Sequence, residues 1–298
     1  LLGYLSGMAW AHRVKTRDEG LFGPGSVTWK VHASPTMLIG GMRALVIQAL
    51  HPLAMAGVAQ HSDYETRGVY RLRRTIQYVL TVTFGDTHSA RASGALVRRV
   101  HERVQGLDPV TGRTYSAADP ETLLWVHAVE VHSFLSAYRA YAGRLSPDEQ
   151  DRYLAESVRS AELVGLDPKD VPKNRAEMRR YFESMDPKLC VSQSALSAIR
   201  FVTNPPVHRR TLALTASLRV VSRAAVALVP RHLRALAGLE RPWLADALTF
   251  ATVSAATRPL AMALELPFAE RANLERLRQF AAEHPFASVP VPASRAVA

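Results

Sequence analysis

Three short stretches decide how this chain is read: Arg71-Leu72-Arg73-Arg74-Thr75, then Val97-Arg98-Arg99-Val100-His101, then Trp125-Val126-His127. Each puts polar groups on what ought to be a buried helix stripe. In the first, Arg71, Thr75, Tyr78 and Val82 recur at helical spacing and share one face, and Gly85 is placed to end that helix. In the second, Gly94, Val97, Arg98, His101 and Val104 share a face. A glycine about two turns below a histidine leaves a shallow place where a flat ligand would lie. In the third, Leu124, His127, Val131, Phe134 and Tyr138 form an apolar stripe with an imidazole in it. Asp119-Pro120-Glu121 supplies its N-cap, its N1 proline and an acid in the first turn.

A histidine on an apolar face is more often a satisfied core residue than a ligand. Three such helices in succession shift the balance. The spacing excludes the common metal patterns, since there is no His-Glu-x-x-His and no Cys-x-x-Cys. His127, Glu130 and His132 suggest a cluster only superficially, because His132 projects away from His127 on a helix. One imidazole facing a pocket, with a basic group and a hydroxyl nearby, is what a haem iron needs.

In order and spacing, these residues resemble a known family. Arg71-x-x-x-Thr75, Phe84-Gly85-Asp86, Arg98-x-x-His101, Gly106 with Tyr115-Ser116-Ala117, Asp119-Pro120-Glu121 and Trp125-Val126-His127 look like the oxygenases of the MpaB type, to which the catalytic domain of latex clearing protein is related. Leu50-His51-Pro52, His61-Ser62-Asp63, Ser133-Phe134-Leu135 and Pro172 extend the resemblance. It implies haem b in a globin-like helical core, with His101 as the proximal iron ligand and Arg98 one turn before it supporting the haem or its ligand helix. It also implies Arg71 and Thr75 as the polar pair of the oxygen-binding region, and His127 as a further pocket histidine. Latex clearing members carry a lysine just before that threonine, where this chain has Arg74. A guanidinium has no lone pair to offer iron.

The 298 residues, 48% hydrophobic and 21% charged, suit a globular protein with a sizeable core. The single cysteine, Cys190, excludes an internal disulfide and agrees with a reducing, cytoplasmic setting. It is also the one residue able to offer a thiolate, though its flanks carry no supporting signal. The formal charge of +11 raises nucleic acid or an anionic membrane as partners. Arginines are scattered through nearly every helix, without interleaved aromatics or a recognisable nucleic-acid module, so a solvated basic surface reads better.

Elsewhere the pattern is helical throughout. Leu1 to Trp10 is apolar but lacks the marks of a signal peptide. Gly20 to Gly25 reads as a turn, and Val27 to Val31 as a short extended or helical connector. Met37 to Ala59 is nearly all apolar, yet Arg43 lies inside it and His51-Pro52 breaks it, so it reads as a bent pair of buried helices and not a membrane span. Its small residues, Gly40 among them, would let a helix or a porphyrin approach closely, while His51 and His61 read as capping or surface histidines, or as neighbours of the pocket. Ser146-Pro147-Asp148-Glu149 and Asn174-Arg175-Ala176-Glu177 are capping boxes. Later helices are expected from about Arg210 to Leu228, from Trp243 to Leu266 and from Phe268 to Glu283, with Pro205-Pro206 as a break. The expectation is an all-α fold of about ten helices: one oxygenase-like domain over residues 1–287 and a loose tail over 288–298. The function expected is oxygenation of an apolar, unsaturated substrate by dioxygen. Peripheral contact with a membrane stays open, and the rival is a non-catalytic protein that binds haem or an apolar ligand.

Overall fold

The computed structural model describes residues 18–204, 212–264 and 267–284, together with Phe286. Among them are thirteen α-helices and a single two-stranded sheet, so the chain is all-α. Leu1–Trp10, Pro205-Pro206 and the expected tail lie outside the described residues.

The organising element is α6, Pro120–Tyr141, built on α1 (Val27–Ala33), α2 (Met37–Gln48), α3 (Pro52–His61), α4 (Tyr64–Phe84) and α5 (Thr87–His101). Asp119 caps it as the sequence requires, accepting from the Glu121 and Thr122 amides. Residues on nearly every side of α6 are buried, including Trp125, Val129, Phe134 and Tyr141; a helix apolar all round belongs in a core. α2 lies along it at close range. A Cβ at Gly40 would sit 2.8 Å from the Phe134 Cα, so glycine there serves this helix crossing.

α2 and α3 bend by 103° at Ala49–His51. Proline at the first position of α3 starts the new helix, and His51 caps it, its Nδ1 accepting from the Ala54 amide. The bend is clasped from α6: Gln48 donates to the Val126 carbonyl at 2.8 Å, and the fully buried Trp125 donates its Nε1–H to the Gln48 carbonyl. Arg43, buried inside α2, donates to the Ser133 hydroxyl and to the Leu228 carbonyl, so its charge is spent on ties to α6 and to the chain just after α10 (Leu212–Ala227).

α4 ends at Phe84 with Gly85 as its cap, and α5 starts at once from Asp86, which accepts from the Ser89 amide. A hairpin of β1 (Gln105–Leu107) and β2 (Thr114–Ser116) follows α5. α7 (Pro147–Val164) has a complete capping box on Ser146 and Glu149 and stops at Gly165, which takes φ +103. α8 (Arg175–Met185) is capped by Asn174, but Glu177 reaches the Lys173 amide in place of Asn174's, so the box is not reciprocal. α9 (Gln193–Thr203), α10, α11 (Arg231–Leu236), α12 (Trp243–Leu264) and α13 (Pro267–Glu283) complete the fold. α10 packs on α2, α12 on α6 and α10, and α13 on α4, so the last third of the chain covers the central helices.

Candidate functional site

The site is built where α4, α5 and α6 face one another. The two-residue connection at Gly85–Asp86 folds α5 back alongside α4, which brings the Arg71 end of α4 and the His101 end of α5 to one end of the pair. The C-terminus of α3 ties that end together. Ser62 accepts a short hydrogen bond from the Arg71 guanidinium, and the His61 Nε2 lies 3.1 Å from the Gln105 carbonyl just beyond His101.

Two imidazoles here lack hydrogen-bond partners. The Nδ1 of His101 and the Nε2 of His127 are both buried and unpaired. Burial lowers the pKa of His101, and it brings that of His127 down to about 4. Both rings are therefore neutral at pH 7 and keep a nitrogen lone pair. One turn beyond His127 on α6, burial pushes the Glu130 carboxyl up to about 7. Tyr78 on α4 is shifted well above the usual phenol range, first by burial and then by Glu130, with Arg98 pulling the other way. Tyr78 thus lies within electrostatic reach of both Arg98 on α5 and Glu130 on α6.

His101, His127, Glu130 and Tyr78 are mostly covered, and burial shifts each toward its neutral form. α5 packs on α4 and α7. A separate cavity of about 200 Å³, lined by Trp29, Tyr138, Leu264 and Leu274 among others, lies under α1 and involves none of these groups.

The sequence-derived residues divide unequally. His101 and His127 carry the unpaired nitrogens, although no hydrogen bond joins them. Arg98 reaches the site only electrostatically; its stem lies over Gly165 at the end of α7, where an added Cβ would meet the Arg98 Cδ at 3.6 Å. Arg71 is bound to Ser62, and the Thr75 hydroxyl donates to the Arg71 carbonyl within its own helix. Gly94 is a correction. Its surface is no shallow ligand bed, because a Cβ there would sit 2.8 Å from both the Cβ and the carbonyl oxygen of Leu163, and α7 fills the place. Arg74 turns aside, its guanidinium lying 4.8 Å from the centroid of the Phe286 ring. His132 does face away from His127, meeting Arg43 at 3.4 Å and the Phe182 ring.

Sequence reasoning missed Glu130 as a site residue. The available signal was an acid one turn from His127 on a helix otherwise buried all round. The buried pair beyond it was also missed: His32 bridges the Thr83 hydroxyl at 2.8 Å and the Tyr153 hydroxyl at 3.0 Å, and Tyr153 in turn feels the Glu130 charge. Among the described residues, no three or more His, Cys, Asp or Glu side chains converge as a metal-binding group. A donor set of single imidazoles suits an ion that arrives already held by a macrocycle better than a bare ion.

These features define an all-helical domain in which unpaired imidazole nitrogens on α5 and α6 accompany a buried carboxyl on α6. The chain belongs to the family described as ER-bound oxygenase mpaB/B'/Rubber oxygenase, catalytic domain, whose family model matches residues 29–259, and it is accordingly an oxidoreductase that uses dioxygen on a small molecule. No curated protein and no solved structure matches the chain.

Proposed function

We propose that the protein is a haem b-dependent oxygenase of an apolar, unsaturated organic substrate, with His101 as the protein ligand to the iron. The observation that carries this reading is the buried, unpaired, neutral imidazole of His101, at the end of a helix that family membership already places in an oxygenase catalytic domain. Such a nitrogen is costly to bury without a partner, and a metal bond is one way to satisfy it. Haem, when bound, supplies the activation of dioxygen.

The remaining work falls to this chain's own side chains. Arg98, one turn before His101, offers a cation to a carboxylate at the rim. Arg71 and Thr75, exposed at the same end of the helix pair as His101, would orient a polar group there by exchanging their present bonds to Ser62 and to the Arg71 carbonyl. His127, neutral and with an unpaired Nε2, is assigned to the pocket lining. Glu130 gains and loses its proton close to neutral pH and sits within reach of Tyr78, which suits it to hold or release a proton at its carboxyl. Arg74 lies over the Phe286 ring, and its guanidinium has no lone pair to offer a metal.

The test is oxygen uptake by the haem-loaded protein with an unsaturated hydrocarbon, with mass analysis for products that have gained oxygen. Uptake coupled to such a product supports the reading. A haem-loaded, folded protein that consumes no oxygen with a panel of apolar alkenes overturns it.

A further inference from the structure

Among the described residues, α12 is the one helix that by length and composition is able to cross a bilayer, yet only 17% of its most apolar window is buried. Its inner side is committed: Val253, Ser254 and Ala261 are buried, and the Thr257 hydroxyl donates to the Tyr141 carbonyl of α6 at 2.6 Å. Its outer side is not. Leu244, Leu248, Ala251, Ala255, Pro259 and Met262 follow one another at steps of three and four, so they form one stripe along about 27 Å of helix. All six are exposed, Leu248 by 58% and Met262 by 67%, and Trp243 stands 72% exposed at the N-terminal end. A continuous apolar face of this kind on a helix marks an interaction site.

The charges around the stripe choose the occupant. Asp246 is neutralised by ion pairs with Arg234 and Arg241, and Arg258 lies over the Phe250 ring and donates to the Ala140 carbonyl, so neither charge of α12 breaks the stripe. On α10, which packs on α12, and on α11, whose Arg234 pairs with Asp246 of α12, Arg219, Arg223 and Arg231 are exposed, as is Arg258, whereas Glu240 is the one exposed acid among residues 212–264. A second copy of this chain would bring the same basic rim against itself, on a chain of formal charge +11. Crossing the bilayer would strip the inner side of α12 from α6. What remains is a helix lying in the plane of an interface, apolar face down, cations at its edge and a tryptophan at one end.

We propose that the exposed face of α12 seats the protein on a lipid surface rich in anionic headgroups. This does not depend on haem or on the oxygenase reading. The experiment is co-sedimentation of the full chain with vesicles of phosphatidylcholine alone or mixed with phosphatidylserine, alongside tryptophan emission. Of the four tryptophans, Trp29 and Trp125 are fully buried and Trp10 lies outside the described residues, so Trp243→Phe is the control that assigns the emission change to Trp243. Expected are binding to the mixed vesicles that weakens with salt, a blue shift that Trp243→Phe removes, and at least a ten-fold loss of binding in Leu248→Glu/Met262→Glu. Both positions are exposed, so an unchanged circular dichroism spectrum and melting temperature check that the double variant folds. Equal binding to both vesicle types overturns the charge argument. No binding, binding indifferent to the double variant, or a dimer that the double variant disperses without any lipid effect overturns the proposal.

Discussion

Replacing Glu130 by glutamine isolates the cost of keeping an acid in the site. Burial raises the folded-state pKa from 4.5 to about 7. With a raised carboxyl pKa the penalty is absent below the unfolded value, grows as pH rises from about 4.5, and is complete above about 7. At about 1.4 kcal/mol per unit, the full penalty is about 3 kcal/mol. Glutamine resembles the protonated acid, so Glu130→Gln is expected to stabilise the haem-free protein by about 3 kcal/mol at pH 7.5 and by only about 1 kcal/mol at pH 5. Urea unfolding at the two pH values, with a common slope against denaturant, reads both numbers. A stabilisation equal at both pH values, or none at pH 7.5, would show that Glu130 is not held away from water, and its assignment to the site would lose its main support.

On the acid side, His32 and His132 are both lowered to about 3 by burial, His132 additionally by Arg43 and Arg139. Their stabilising effect is present above about 6.5 and is lost as pH falls. Each is expected to cost about 2 kcal/mol between pH 7.5 and 5, and His132→Asn should reduce the proton uptake on unfolding at pH 5 by about one, measured from the pH dependence of the urea midpoint. Gly94→Ala should destabilise by about 1–3 kcal/mol because its Cβ meets the Leu163 carbonyl as well as its side chain; a loss of haem affinity without loss of stability would return Gly94 to the ligand bed. Cys190→Ser should leave the absorption spectrum unchanged, and the disappearance of a thiolate-type band would remove His101 from the iron.

Much of the fold was legible because its signals are local. The starts of α6 and α7 are written in Asp119-Pro120-Glu121 and Ser146-Pro147-Asp148-Glu149, and the bend between α2 and α3 in His51-Pro52. The β1–β2 hairpin was not foreseen. Its strands are three residues each, and the loop from Asp108 to Arg113 is held by the Asp108 carboxylate on the Val110 and Thr111 amides and by Gly112 at φ +67, so no two-residue turn announces it. The six-residue α11 is too short for periodicity to reveal. In the site, the histidines were visible as polar breaks in apolar stripes. What Gly40 and Gly94 do was not, since a glycine that admits another helix looks the same in sequence as one that admits a ligand. Which face of α12 remains uncovered likewise depends on how α6 and α10 pack against it.

The central claim is that His101 holds haem, and the absorption spectrum of the purified protein, oxidised and dithionite-reduced, tests it most directly when read for the parent, His101→Ala and His127→Ala side by side. The account predicts a Soret band in the parent, its loss in folded His101→Ala and its retention in His127→Ala. A haem-loaded His101→Ala protein with the parent's spectrum, or a folded parent that takes up no haem when supplied with it, would contradict the assignment.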